Sequence, residues 1–104
     1  MELKRVVVTG LGALTPLGNT VEDYWNSLLK GVSGAGDITH FDAGEFKTRF
    51  ACEVKGFNAL DHFDRKEARK YDIYAQYGLV AAEQAVLDSG VDLDSINKNR
   101  VGVI

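Results

Sequence analysis

Arg5-Val-Val-Val-Thr-Gly-Leu-Gly-Ala-Leu-Thr-Pro-Leu-Gly18, near the N-terminus, has the pattern of a buried strand running into a glycine-rich turn. Val6-Val7-Val8 is a short, continuous β-branched run, the pattern of a parallel strand covered on both faces. Gly10 and Gly12 end it in a tight turn, and Pro16 keeps Thr15 extended or in a turn. Val101-Gly-Val-Ile104 has the same strand character at the other end of the sequence. A free-standing domain seldom ends on the opening residues of a core strand, so residues 1–104 read as the front piece of a larger α/β protein.

Between these runs the pattern is helical. Thr20 is a good N-cap, with Glu22 and Asp23 in the favourable first turn. Val21, Tyr24, Trp25, Leu28 and Leu29 then form one apolar stripe, which needs a partner surface such as a sheet face, and Gly31 closes the helix. Residues 31–49 read as loop, and Phe50-Ala-Cys-Glu-Val54 as a short edge strand. Asp64 with Glu67 resembles a capping box, and helical pattern runs from there to Ser89 with a break near Tyr71. Gly90 ends it, and Leu93 to Ile96 could make one more turn. The order β, α, small strand, long α, β predicts a right-handed parallel crossover.

Bulk properties exclude several classes. The 104 residues are 45% hydrophobic and 26% charged, ordinary for a globular chain. A net charge of −3 offers no general attraction to nucleic acid or an anionic membrane. The apolar runs are too short to span a bilayer, and the N-terminus lacks a signal peptide's long apolar region. One cysteine cannot form an internal disulfide, and one Cys with two His is a poor metal inventory, which points to a reducing cytoplasm.

Four features invite a chemical reading. Gly10-x-Gly12 after a strand begins like a dinucleotide fingerprint, but Thr15 stands at its third position and Pro16 follows at once. Cys52 lies in an alternating apolar stretch beside Glu53, whose charge would raise a thiol pKa, and reads as inert. His40 and His62 have no acid or metal partner at ligand spacing and read as structural or solvated. The fourth feature is Arg65-Lys66-Glu67-Ala68-Arg69-Lys70, four cations against one acid, a local +3. Lys66, Arg69 and Lys70 fall at i, i+3 and i+4 and can share one helix face. On spacing alone this is either a solvated face laced by Glu67 and Asp72, or a docking patch for an acidic partner.

The opening motif through Thr20 resembles the N-terminus of the β-ketoacyl-acyl carrier protein synthases, the elongating condensing enzymes of bacterial fatty-acid synthesis. The Trp25 helix, the Gly31-x-Ser33-Gly34 loop, Phe41-Asp42, the Asp64-Arg65-Lys66-Glu67-x-Arg69-Lys70 segment, Gln76-Tyr77-Gly78 and Asp88-Ser89-Gly90 follow in register. The likeness covers essentially all of residues 1–104 and points to the type II synthase subgroup. It implies an α/β fold, the N-terminal part of a thiolase-like domain layered α-β-α-β-α and incomplete in this chain, from a homodimeric, cytoplasmic acyltransferase. It also implies condensation of a cysteine-bound acyl group with malonyl-carrier protein. The nucleophilic cysteine and two assisting histidines of that family lie downstream of residue 104, so the resemblance leaves no catalytic residue in this chain and calls for no bound cofactor. It does imply that acyl carrier protein docks through Lys66, Arg69 and Lys70, with Arg65 a weaker contributor. An alternative from a different class is a stand-alone, non-catalytic carrier-protein-binding module.

Overall fold

A computed structural model describes residues 1–104 as three helices, a two-stranded ribbon and irregular terminal segments. Helix α1 spans Val21–Leu29, and the Thr20 side chain caps it by accepting from the Asp23 amide at 3.1 Å. Strand β1 (Ala35–Asp37) pairs antiparallel with β2 (Phe50–Cys52), setting Ala35 opposite Cys52 and Asp37 opposite Phe50. β2 lies inside the expected edge strand. β1 falls in a stretch read as loop, because three residues containing Gly36 carry no periodic signal.

Helix α2 spans Arg65–Lys70 and α3 spans Ile73–Ser89, so the expected break lies at Tyr71–Asp72. Only the Asp64 half of the capping box forms, with Asp64 Oδ1 accepting from the Glu67 amide at 2.8 Å. Gly90, at φ +65°, closes α3 in the left-handed region that suits glycine. The turn expected at Leu93–Ile96 is a hydrogen-bonded turn on Asp92, and a 3₁₀ turn follows at Lys98–Arg100.

The parallel crossover does not form. No strand pairs with Val6–Val8 or with Val101–Ile104, and both segments are exposed and form no regular secondary structure. A strand, unlike a helix, takes its hydrogen bonds from a neighbour, and two isolated strands rarely suffice. The Trp25 stripe consequently finds no sheet face: Trp25, Leu28 and Leu29 stay exposed. Only Ala43, Gln76 and Val80 are buried. The radius of gyration, 17.6 Å, exceeds the roughly 13 Å of a compact chain of about 100 residues.

The glycines of the opening motif serve close approach rather than a turn. Neither Gly10 nor Gly12 has a positive φ. A Cβ on Gly10 would sit 2.1 Å from the Ala85 carbonyl oxygen, and one on Gly12 would sit 1.8 Å from that of Ala81. Residues 10–13 therefore lie directly on the backbone of α3. Side chains of α3 hold them there: Asp88 Oδ2 accepts from the Leu11 amide at 2.9 Å and Gln84 Oε1 from the Ala13 amide at 3.0 Å. Gln84 Nε2 then donates to Asn19 O at 2.7 Å, so one side-chain amide ties both Ala13 and Asn19 to α3.

Candidate functional site

The site grows out of a short helix whose surface is almost entirely cationic. α2 begins at the Asp64 cap and ends when Tyr71 leaves helical geometry at φ −100°, ψ 131°. Its six residues put Arg65, Lys66, Arg69 and Lys70 in solvent, while Ala68 alone is partly covered. Neither Glu67 nor Asp72 pairs with these charges: the only ion pairs in the molecule are His40–Glu53 at 3.8 Å and Lys98–Asp94 at 3.7 Å. Lys70 Nζ instead lies 5.7 Å from the centre of the Tyr71 ring, a cation–π contact that leaves its charge unneutralised. Leu60, itself exposed, lines a shallow pocket with Arg65, Ala68 and Arg69, adding an apolar spot to the charged face.

The other candidates fall elsewhere. Cys52 is exposed on β2, on a strand rather than at a helix N-terminus where the dipole would favour thiolate. His62 stacks on Phe57, ring centres 5.5 Å apart and planes 7° from parallel. His40 does acquire an acid that local spacing did not supply. Glu53 reaches it across the ribbon, and accepts from the Thr39 hydroxyl at 2.8 Å and from the Thr39 and His40 amides at 3.0 and 3.2 Å. These bonds hold the Glu53 carboxyl below its usual range, the Thr39 hydroxyl first, then the Thr39 amide. Nowhere do three or more His, Cys, Asp or Glu side chains converge on one point.

Because the folded-state pKa of Glu53 is lowered, its contribution is present above the ordinary carboxylate pKa of about 4.3 and is lost as pH falls through the lowered value. The Thr39 and His40 amides should therefore stay protected from hydrogen exchange at pH 5 and open only in stronger acid. In Glu53→Gln the pH dependence should vanish. Loss of protection already between pH 5 and 6 would show that another group governs the loop.

The dinucleotide reading fails on geometry. Gly10 and Gly12 face α3, and α1 does not start until Val21, so no helix N-terminus meets the turn. The Thr15–Gly18 turn closes on itself instead: the Thr15 amide donates to Gly18 O at 2.9 Å, and Thr15 Oγ1 accepts from the Leu17 and Gly18 amides. Lys55, which lines the adjoining cleft, has its Nζ donating to Gly34 O at 3.0 Å and Glu53 O at 3.1 Å. A lysine so occupied has little left for a phosphate.

Residues 3–104 match the model of the β-ketoacyl synthase N-terminal domain. The chain belongs to this family. Among relatives of the ketoacyl synthase domain, 3-oxoacyl-(acyl-carrier-protein) synthase 2 of Vibrio harveyi is 52% identical over 103 residues, 99% of this chain and 25% of the relative. The synthase 2 of Synechocystis sp. is 46% identical over 104 residues, again 25% of its length. The solved ishigamide ketosynthase/chain length factor superposes with a TM-score of 0.74 at 35% identity, over 88% of this chain and 23% of that one. The chain thus has the fold of an N-terminal part of a thiolase-like ketosynthase, and spans about a quarter of the curated relatives it matches. No helix in it is long and apolar enough to cross a membrane.

The sequence singled out Arg65, Lys66, Arg69 and Lys70, and the structure brings all four onto one exposed helix. It missed Gln76, Gln84 and Asp88, polar residues on a largely apolar helix whose roles depend on residues up to 77 positions away.

Proposed function

We propose that residues 1–104 form the N-terminal part of a 3-oxoacyl-acyl-carrier-protein synthase acting in fatty-acid elongation, and that α2 is its docking site for acyl carrier protein. The reaction would join the malonyl C2 to the carbonyl carbon of a cysteine-bound acyl group, with carbon dioxide and the enzyme thiolate leaving. The observation that supports the docking reading is the unpaired cationic face of α2 in a chain of net charge −3. An acidic helix would find there both charge complementarity and, at Leu60, an apolar contact. On this reading the full-length protein is a cytoplasmic homodimer, and the chain by itself has no condensing activity.

Cys52 decides the catalytic half of the proposal. With no helix dipole or base behind it, it should stay unmodified when residues 1–104 are mixed with acyl- and malonyl-carrier protein, and no ketoacyl product should form. Full-length protein should make that product, and Cys52→Ala should keep kcat within about twofold. Stoichiometric acylation of Cys52, by intact-mass measurement, would sink the idea.

A further inference from the structure

We infer that Gln76 is a positioning residue, whose side-chain amide clamps the elbow between α2 and α3 and so sets the direction in which Lys66, Arg69 and Lys70 face. The inference rests on the carrier-docking reading of α2.

A helix leaves its last carbonyls without partners, and α2 is too short to hold its own geometry. Its final backbone bond runs from the Tyr71 amide to Glu67 O, after which the chain turns away. Gln76 Nε2 donates one proton to Ala68 O at 2.9 Å and the other to Tyr71 O at 3.1 Å. One bond lands on the last turn of α2 and the other on the elbow itself. Two oxygens can be met only by the nitrogen end of the amide, which fixes how the side chain faces. The Gln76 backbone is in turn anchored in the first turn of α3 through its amide bond to Asp72 O at 3.0 Å. Asp72 caps α3 with no side-chain bond, and the side-chain hydrogen bonds from α3 to α2 and the elbow come from the glutamine.

Burial makes the same point. Gln76 is 5% exposed, the only buried polar residue, and its Oε1 has no partner. An unpaired buried acceptor is a cost that methionine or leucine would avoid while filling the same volume. What the amide supplies in exchange is two donors, one to the cation-bearing turn and one to the elbow that follows it. Ala68 precedes Arg69 directly, and Tyr71 is the ring beneath Lys70.

Gln76→Met in the full-length synthase tests this beside the triple variant Lys66→Glu, Arg69→Glu, Lys70→Glu. Gln76→Met should raise KM for carrier-linked substrates roughly three- to tenfold, leaving kcat and the KM for acyl-CoA surrogates unchanged. Amides of residues 69–71 should exchange faster. If the triple variant raises the carrier KM and Gln76→Met does not, the clamp is overturned and docking stands. A triple variant without effect removes the docking reading and this inference with it. Equal losses on both substrate types would reduce Gln76 to a structural role and also overturn it. In wild-type protein the Gln76 Nε2 protons should exchange slowly by NMR. Exchange as fast as a solvated amide would overturn the clamp whatever the variants do.

Discussion

Reversing three charges on α2, with Lys66→Glu, Arg69→Glu and Lys70→Glu together, should raise KM for carrier-linked substrates of the full-length synthase by at least about tenfold at low salt. Exposed charge pairs contribute about 0.2–1 kcal/mol each, so no single substitution should abolish binding. Three losses together reach roughly 0.6–3 kcal/mol, and about 1.4 kcal/mol is a factor of ten. Reversal adds repulsion to the loss. The effect should shrink as salt rises, because the Debye length falls from about 30 Å at 0.01 M to about 8 Å at physiological ionic strength. Turnover of acyl-CoA surrogates, which bring no protein surface, should change little. Stability should also hold, since none of the three cations makes an ion pair within the chain. Equal loss on both substrate types would mean that these residues support the fold instead.

Gly12→Ala should release the opening segment from α3. The added carbon would stand 1.8 Å from the Ala81 carbonyl oxygen and 2.9 Å from the Ala85 nitrogen, both backbone atoms of a helix that cannot yield. Lifting the segment breaks the Leu11–Asp88, Ala13–Gln84 and Gln84–Asn19 bonds. At about 0.5–1.5 kcal/mol net for each, the loss is roughly 1.5–4.5 kcal/mol. Alanine restricts the unfolded chain and returns only about 0.4–1 kcal/mol, so the clash wins. Exchange at the Leu11 and Ala13 amides should quicken by roughly two- to a thousandfold, on the order of one decade per 1.4 kcal/mol. The same change at Gly78, where an added methyl meets nothing within 4 Å, should instead stabilise α3 by up to about 1 kcal/mol. Unchanged exchange at Leu11 in Gly12→Ala would show that the segment does not sit on the helix.

Lys66, Arg69 and Lys70 were legible in advance because a helix face is a local property: spacing of three and four residues places them together whatever surrounds them. The Thr20 and Asp64 caps, the break at Tyr71 and the Gly90 stop are local in the same sense, each decided by atoms within four or five residues. Sequence by itself therefore determined where the helices begin and end, which of them carries the positive charge, and, through its motifs, the family. It could not determine which surfaces meet. The valine runs are strand-like by composition, yet remain unpaired, because strand hydrogen bonds must come from another segment. Gly10 and Gly12 looked like turn glycines until α3 was seen to lie against them at contact distance. Tertiary structure alone decided the seat of residues 10–13, the burial of Gln76 and the carboxylate that holds Thr39 and His40. Each of these depends on polar atoms that meet only once the chain has folded back on itself, and no periodicity records such a meeting.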